Sequence, residues 1–124
     1  MNGQWMRWLP AVLIAAVCVF PACDESDSPT SPSPAPSQVD IQMQSSSFAP
    51  ANATVAMGGT VRWVNAQPIA HTITPNNAAQ AGVWANQNVP AQQGFTFSHT
   101  FNTGGTYNYS CTIHQGMTGT ITVQ

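Results

Sequence analysis

From Val39 onward, apolar residues fall at every second position in short runs set between turn residues. Val39, Ile41 and Met43 alternate with polar neighbours, Val55 and Met57 do the same, and Val61 and Trp63 follow after Gly58-Gly59. Period two is the mark of strands that bury one face. The glycine pair between two such runs predicts a tight hairpin, because both central residues can take positive φ. His71 and Ile73 mark a short strand ended by Pro75. Phe95, Phe97 and Phe101 share one face of another strand, and Asn102 to Gly105 reads as a turn. Tyr107, Tyr109 and Cys111 share one face after it, and Gly119, Ile121 and Val123 form the last strand.

No stretch carries a helical period. Short strands with Gly-rich turns predict an all-β domain, a sandwich or barrel, over residues 38–124. Residues 76–93 are the exception. They are long for a connection, rich in Asn, Gln and Ala, and carry Val83 and Trp84 as anchors. Such a segment is expected to be a functional loop or a short helical turn.

The front of the chain has a different pattern. Arg7 precedes an apolar run from Leu9 to Phe20 that is too short to span a membrane, which predicts a signal peptide over residues 1–22. Cys23 follows the small Ala22 and opens a polar tract, a border similar to a bacterial lipoprotein signal, so Cys23 is the expected lipidation site. Residues 23–37 are rich in Ser and Pro and predict a semi-stiff tether between that anchor and the domain. The expected location is periplasmic or cell-surface.

Charge is nearly absent. The chain has no Lys; its basic residues are Arg7 and Arg62, and its acidic ones Asp24, Glu25, Asp27 and Asp40. That excludes a basic footprint for nucleic acid and an electrostatic attachment to membranes. Past the tether only Asp40 and Arg62 remain, so solubility rests on Asn, Gln, Thr and Ser, and acid–base catalysis has few candidates. The expectation is therefore a protein that is not an enzyme. Of the three cysteines, Cys18 lies in the signal segment and Cys23 at the lipidation site, which leaves Cys111. A lone thiol in an oxidising compartment is vulnerable unless something such as a metal occupies it.

The segment "CTIHQGM", Cys111 to Met117, holds a thiol, an imidazole and a thioether. Cys111 has the parity of Tyr107 and Tyr109, and Met117 that of Ile121 and Val123, so both should point inward, with His114 on the turn between. Thiolate and thioether together select copper, whereas zinc rarely uses Met. Two imidazoles and a thiolate with a weak axial Met make a blue-copper site. One more His is needed, from His71 or His99. His99 lies mid-strand on the phenylalanine face, a position suited to packing or a local hydrogen bond. His71, at the start of a strand after a Pro-containing bend, is the favoured ligand.

"GTYNYSCTIHQGMTGTITV", with "GTVRWVN" and "HTI" upstream, resembles the cupredoxin family in the branch of plastocyanin, amicyanin and pseudoazurin. The resemblance runs from about Val39 to Gln124, and the two residues between His114 and Met117 give the short loop of the amicyanin type. It implies a Greek-key β-sandwich and one copper ion bound by His71, Cys111, His114 and Met117. It also implies that Thr72, where the family often has Asn, ties the His71 loop to the backbone beside Cys111. The implied function is single-electron transfer, with redox proteins docking near His114 on an uncharged patch that includes Gln115, Gly116, Pro68 and Ile69. The expected protein is a monomer. The alternative is a copper carrier or sequestering protein with the same ligands. A Cys-His nucleophile fits poorly, because Cys111 and His114 lack a third, orienting group.

Overall fold

The alternation of buried and exposed positions builds two sheets in the computed structural model, which describes residues 33–124. The predicted signal segment, Cys23 and the first part of the tether lie outside the described residues. In the first sheet, β1 (Gln38–Met43) runs parallel to β4 (Gly59–Asn65), with Ile41 opposite Trp63 and Asp40 opposite Arg62. β2 (Phe48–Ala49) pairs with the outer edge of β1, and β7 (Thr96–Phe101) with β4, both antiparallel. The second sheet has the spatial order β3 (Asn52–Val55), β9 (Thr118–Val123), β8 (Gly105–Ser110), β5 (His71–Pro75) and β6 (Gln87–Val89). β3 and β9 are parallel and the other pairs antiparallel. The described residues contain no helix, as the lack of helical period predicts.

The inward faces meet in one apolar layer. Ile41, Met43, Val61, Trp63 and Phe101 come from the first sheet, and Val55, Ile73, Tyr107, Tyr109, Ile121 and Val123 from the second. Trp63 is the hinge of this layer. Its ring stacks on Phe97 at 5.5 Å between centroids and meets Trp84 at 5.2 Å and Tyr109, edge to face, at 5.6 Å. Aromatic pairs at such separations add to what burial alone contributes. Burial also pushes the Tyr109 phenol well above its ordinary value. The only ion pair among the described residues, Asp40 with Arg62, lies on the exposed outer face, where such pairs contribute little.

The turns depart from the sequence-based expectation. Gly58-Gly59 does not close a hairpin: β3 and β4 belong to different sheets, and the turn carries the chain across the sandwich. Gly58 alone has positive φ, at 80°. Gly59 is required for space, since a Cβ there would lie 2.6 Å from Val55 Cγ2 and 2.8 Å from the Ala56 carbonyl. Met57, expected inside a strand, is 61% exposed, and its N–H donates to the Gln124 carbonyl. Asn102 to Gly105 likewise crosses between sheets.

Residues 76–93 form a pinned loop with one short strand, β6, and no helical turn. Trp84 is buried, and its Nε1–H donates to the Ile73 carbonyl at 3.0 Å. His99 Nε2 lies 2.8 Å from the Gly82 carbonyl, and the Tyr107 hydroxyl lies 2.7 Å from the Thr103 carbonyl and 3.1 Å from that of Ala81. The tether joins the domain through Pro36 and Ser37, whose carbonyls accept from Ala56 and Thr60. No helix of the described residues is long and apolar enough to cross a membrane.

Tyr109 lies directly opposite Gly119 across the β8/β9 ladder, and its ring occupies the space a Cβ at Gly119 would need. Gly119→Ala should therefore destabilise the metal-free protein by about 1–3 kcal/mol, the cost of overpacking a tight core. Urea denaturation checks this; a midpoint equal to wild type would show that the ring moves aside freely.

Candidate metal centre

The centre forms where β5 and β8 part. Their ladder pairs Pro75 with Tyr109 and Thr74 with Ser110, and it extends no further toward His71. The first half of β5 is held instead by β6, with His71 opposite Val89 and Thr72 opposite Asn88. The backbone donors left by the parting find other acceptors. The Thr72 N–H points at Cys111 Sγ, 3.4 Å away, and the Thr112 N–H donates to Thr72 Oγ1 at 2.7 Å. Thr72 thus ties the His71 strand to the backbone beside Cys111 with a hydroxyl.

Cys111 continues the inward face of Tyr107 and Tyr109 and is buried. The loop behind it is closed by two backbone bonds: Cys111 N–H to the Met117 carbonyl at 2.9 Å, and Met117 N–H to the His114 carbonyl at 3.2 Å. Met117 is buried next to Cys111 and His114 is half-buried. His71 enters from a bend held by the buried Asn65. The Asn65 amide donates to the Ile69 carbonyl at 2.9 Å and to the Pro90 carbonyl at 3.0 Å, and its oxygen accepts from the Gln67 N–H.

Cys111 Sγ lies 3.4 Å from His114 Nδ1 and 4.0 Å from His71 Nδ1, and the two imidazole rings are 4.8 Å apart at their centroids. All three donor atoms lie within 4.8 Å of one another. With metal–sulfur and metal–nitrogen bonds of about 2.3 and 2.0–2.1 Å, taking zinc as the yardstick, ligands set trigonally stand ~3.8 Å apart. The donor set is thus the right chemistry at the right spacing for one ion. His71 is 1% exposed, and burial, with His114 beside it, pushes its pKa below the ordinary value. That favours the neutral ring, the form able to ligate a metal.

Of the residues predicted from sequence, the structure gathers His71, Cys111 and His114, and links Met117 to Cys111 and His114 by backbone bonds and the Thr72 N–H to the Cys111 sulfur. His99 is outside this group. Its hydrogen bond to Gly82 and its packing between Trp84 and Phe101 make it a structural histidine, as its mid-strand position suggests. Three contributors are not identified by the sequence reading. Asn65 was legible in part, since a polar residue at an inward parity position after Val61 and Trp63 needs a purpose. Thr112 was not, because only the fold brings it to Thr72. Ile113, 55% exposed beside His114, had no periodic signal at all.

A family model described as copper binding proteins, plastocyanin/azurin family, matches residues 35–124. Plastocyanin of Scenedesmus fuscus is 38% identical over 84 residues, which cover 62% of this chain and 86% of that protein. Among solved structures, the copper-containing nitrite reductase of Thermus scotoductus SA-01 matches with a TM-score of 0.62 at 27% identity. The match covers 74% of this chain but only 23% of the reductase. A variant of amicyanin in the oxidised state matches with a TM-score of 0.59 at 23% identity, over 77% of this chain and 95% of its own length. That likeness shows the shared fold, a cupredoxin β-sandwich.

The depressed pKa of His71 has a consequence for the metal-free protein. Folding binds a proton at this site less readily than the unfolded chain, so the contribution is complete above the unfolded value of 6.5 and is lost as pH falls toward the folded value. Metal-free protein should be less stable at pH 5 than at pH 7.5 by chemical denaturation. His71→Gln should flatten that dependence; an unchanged slope would mean that another group controls it.

Proposed function

Because the chain belongs to the plastocyanin/azurin family of copper-binding proteins, we propose that it carries single electrons between redox partners through one copper ion held by His71, Cys111, His114 and Met117. The observation that carries this reading is the convergence of a buried thiol and two imidazole nitrogens within 4.8 Å. Bound copper supplies the one-electron couple, Cu(I)/Cu(II). Cys111 provides the thiolate, whose sulfur faces the Thr72 N–H, and buried His71 provides a neutral ring fixed by β6 and by the Asn65 bend. Met117, set beside Cys111 by the backbone bond between them, would offer its thioether as the fourth ligand. With four ligands from the protein, no position is reserved for a substrate, so the protein is a carrier and not an enzyme. The likeness to nitrite reductase spans less than a quarter of that chain and brings no activity with it.

The half-buried ring of His114 is the route for the electron. Its neighbours in sequence, Ile113, Gln115 and Gly116, are exposed, and in the bend before His71 Pro68 is exposed and Ile69 half-buried; none of them is charged. This patch is where a redox protein docks, by shape and apolar contact. The domain, residues 38–124, is exported behind the signal 1–22, held through lipidated Cys23 and the Ser/Pro tether 23–37, and works as a monomer outside the cytoplasmic membrane.

Copper-loaded protein should absorb intensely near the red end of the visible spectrum and give reversible voltammetry. Cys111→Ser should abolish the colour while the metal-free variant still unfolds cooperatively. A colourless wild-type protein that yields copper to a chelator within minutes would favour a copper carrier instead.

Docking without charge predicts a flat salt response. The electron-transfer rate with a redox partner should change less than about twofold between about 0.01 and 0.15 M ionic strength, although the screening length falls from about 30 to about 8 Å. A steep fall, measured by stopped flow, would point to a charged interface.

A further inference from the structure

Resting on the copper site proposed above, we propose that Thr74, held by Asn86, is a positioning residue: it directs the Thr72 hydroxyl and through it the hydrogen bonding around Cys111. Thr72 is 5% exposed, and its hydroxyl has one proton and two lone pairs. Three partners surround it, the Thr112 N–H at 2.7 Å, Thr112 Oγ1 at 3.0 Å and Thr74 Oγ1 at 3.2 Å. That count saturates the oxygen. The N–H can only donate, so of the two neighbouring hydroxyls one must donate to Thr72 and the other accept from it.

Thr74 decides which. Its Oγ1 sits in close contact with Asn86 Oδ1, an acceptor, and has a single proton to give. That proton is aimed at both Asn86 Oδ1 and Thr72 Oγ1 and can serve only one of them; with it on Asn86, the nearer acceptor, Thr74 accepts from Thr72, and Thr72 accepts from the Thr112 hydroxyl. The result is a directed chain, Thr112 to Thr72 to Thr74 to Asn86, in which each bond polarises the next. Thr72 also carries the N–H that faces Cys111 Sγ. Bonds to a ligand sulfur, and the groups that orient them, tune the metal they surround. Remove the acceptor at Thr74 and the Thr72 proton is left only the Thr112 hydroxyl, so that bond reverses and the chain ends at an exposed residue.

The inference also gives residues 76–93 a task. β6 pairs with the ligand-bearing half of β5, and Asn86, next to it in sequence, ends the hydroxyl chain. The segment acts as a clamp on the strand that carries His71 and Thr72.

The test compares copper-loaded wild type, Thr74→Val, Thr74→Ser and Asn86→Ala by voltammetry and visible spectroscopy, and the metal-free proteins by hydrogen exchange at the Thr112 amide. Thr74→Val should shift the Cu(I) to Cu(II) ratio about threefold toward Cu(II), roughly 28 mV at about 59 mV per tenfold for one electron, and should speed exchange at Thr112. Thr74→Ser should restore both, and Asn86→Ala should move both in the same direction by less. A folded Thr74→Val variant with wild-type potential, spectrum and exchange overturns the inference. If Thr74→Val does not fold, Asn86→Ala decides: unchanged potential and exchange overturn it. Absence of a blue band in wild type would instead sink the copper reading, while the exchange measurement on metal-free protein would still judge the hydroxyl chain.

Discussion

Beyond Thr74 and Ser110 the β5 and β8 strands separate, and every backbone donor released by that separation has to be met. The gap is what makes room for a thiol and two imidazoles between strands that would otherwise be bonded together. It survives because two donors are met locally: the Thr72 N–H by the Cys111 sulfur and the Thr112 N–H by the Thr72 hydroxyl. The sulfur is therefore part of the backbone accounting as well as a metal donor. A substitution at Cys111 removes an acceptor from a buried region, and one at Thr72 releases the strand that sets the His71 ring.

Two other features keep the gap from collapsing. β6 supplies the outer partner that β8 no longer provides, so the His71 end of β5 stays extended. Asn65 braces the bend before it, with both amide protons given to carbonyls from different segments. Below the gap the aromatic layer is continuous. Tyr109 packs against Phe48, Trp63 and Trp84, and Trp84 returns its indole proton to β5 at Ile73. Close-packed interiors transmit strain and resist small shifts, so the donor positions are set before any ion arrives. An electron carrier would gain from donors held in this way, since little would have to move between oxidation states.

Faces were legible in the sequence and partners were not. Period two placed Ile41, Trp63, Tyr109, Cys111 and Ile121 inward, and each is buried. The same alternation cannot say which strand lies beside which. Gly58-Gly59 reads as a hairpin because two alternating runs flank it, yet its strands sit in opposite sheets and β1 takes the place the hairpin would have given to β3. β2 and β6 are too short to show a period at all. The candidate metal donors stood out because Cys, His and Met are rare and chemically distinct. Of the threonines around them, Thr72 could be named only through the family resemblance and Thr112 not at all, because hydroxyls are everywhere in this chain and the two meet only across 40 positions of sequence.

Near-neutrality shapes how such a protein can meet a partner. Asp40 and Arg62, the last side-chain carboxylate and cation in the chain, face each other in register on β1 and β4, so the charges of the folded domain cancel within one contact. No field remains to steer an encounter, and association without steering runs at roughly 10⁵–10⁶ M⁻¹s⁻¹. On the docking surface proposed above, recognition would then come from contact near His114. Ile113 is a single exposed aliphatic side chain there, and isolated apolar residues are tolerated in water without driving aggregation. A small patch of this kind buries little area, which matches the weak, short-lived complexes formed by redox proteins, at the low end of interface sizes. A carrier that must release each partner after one electron is better served by that patch than by a charged or extensive one.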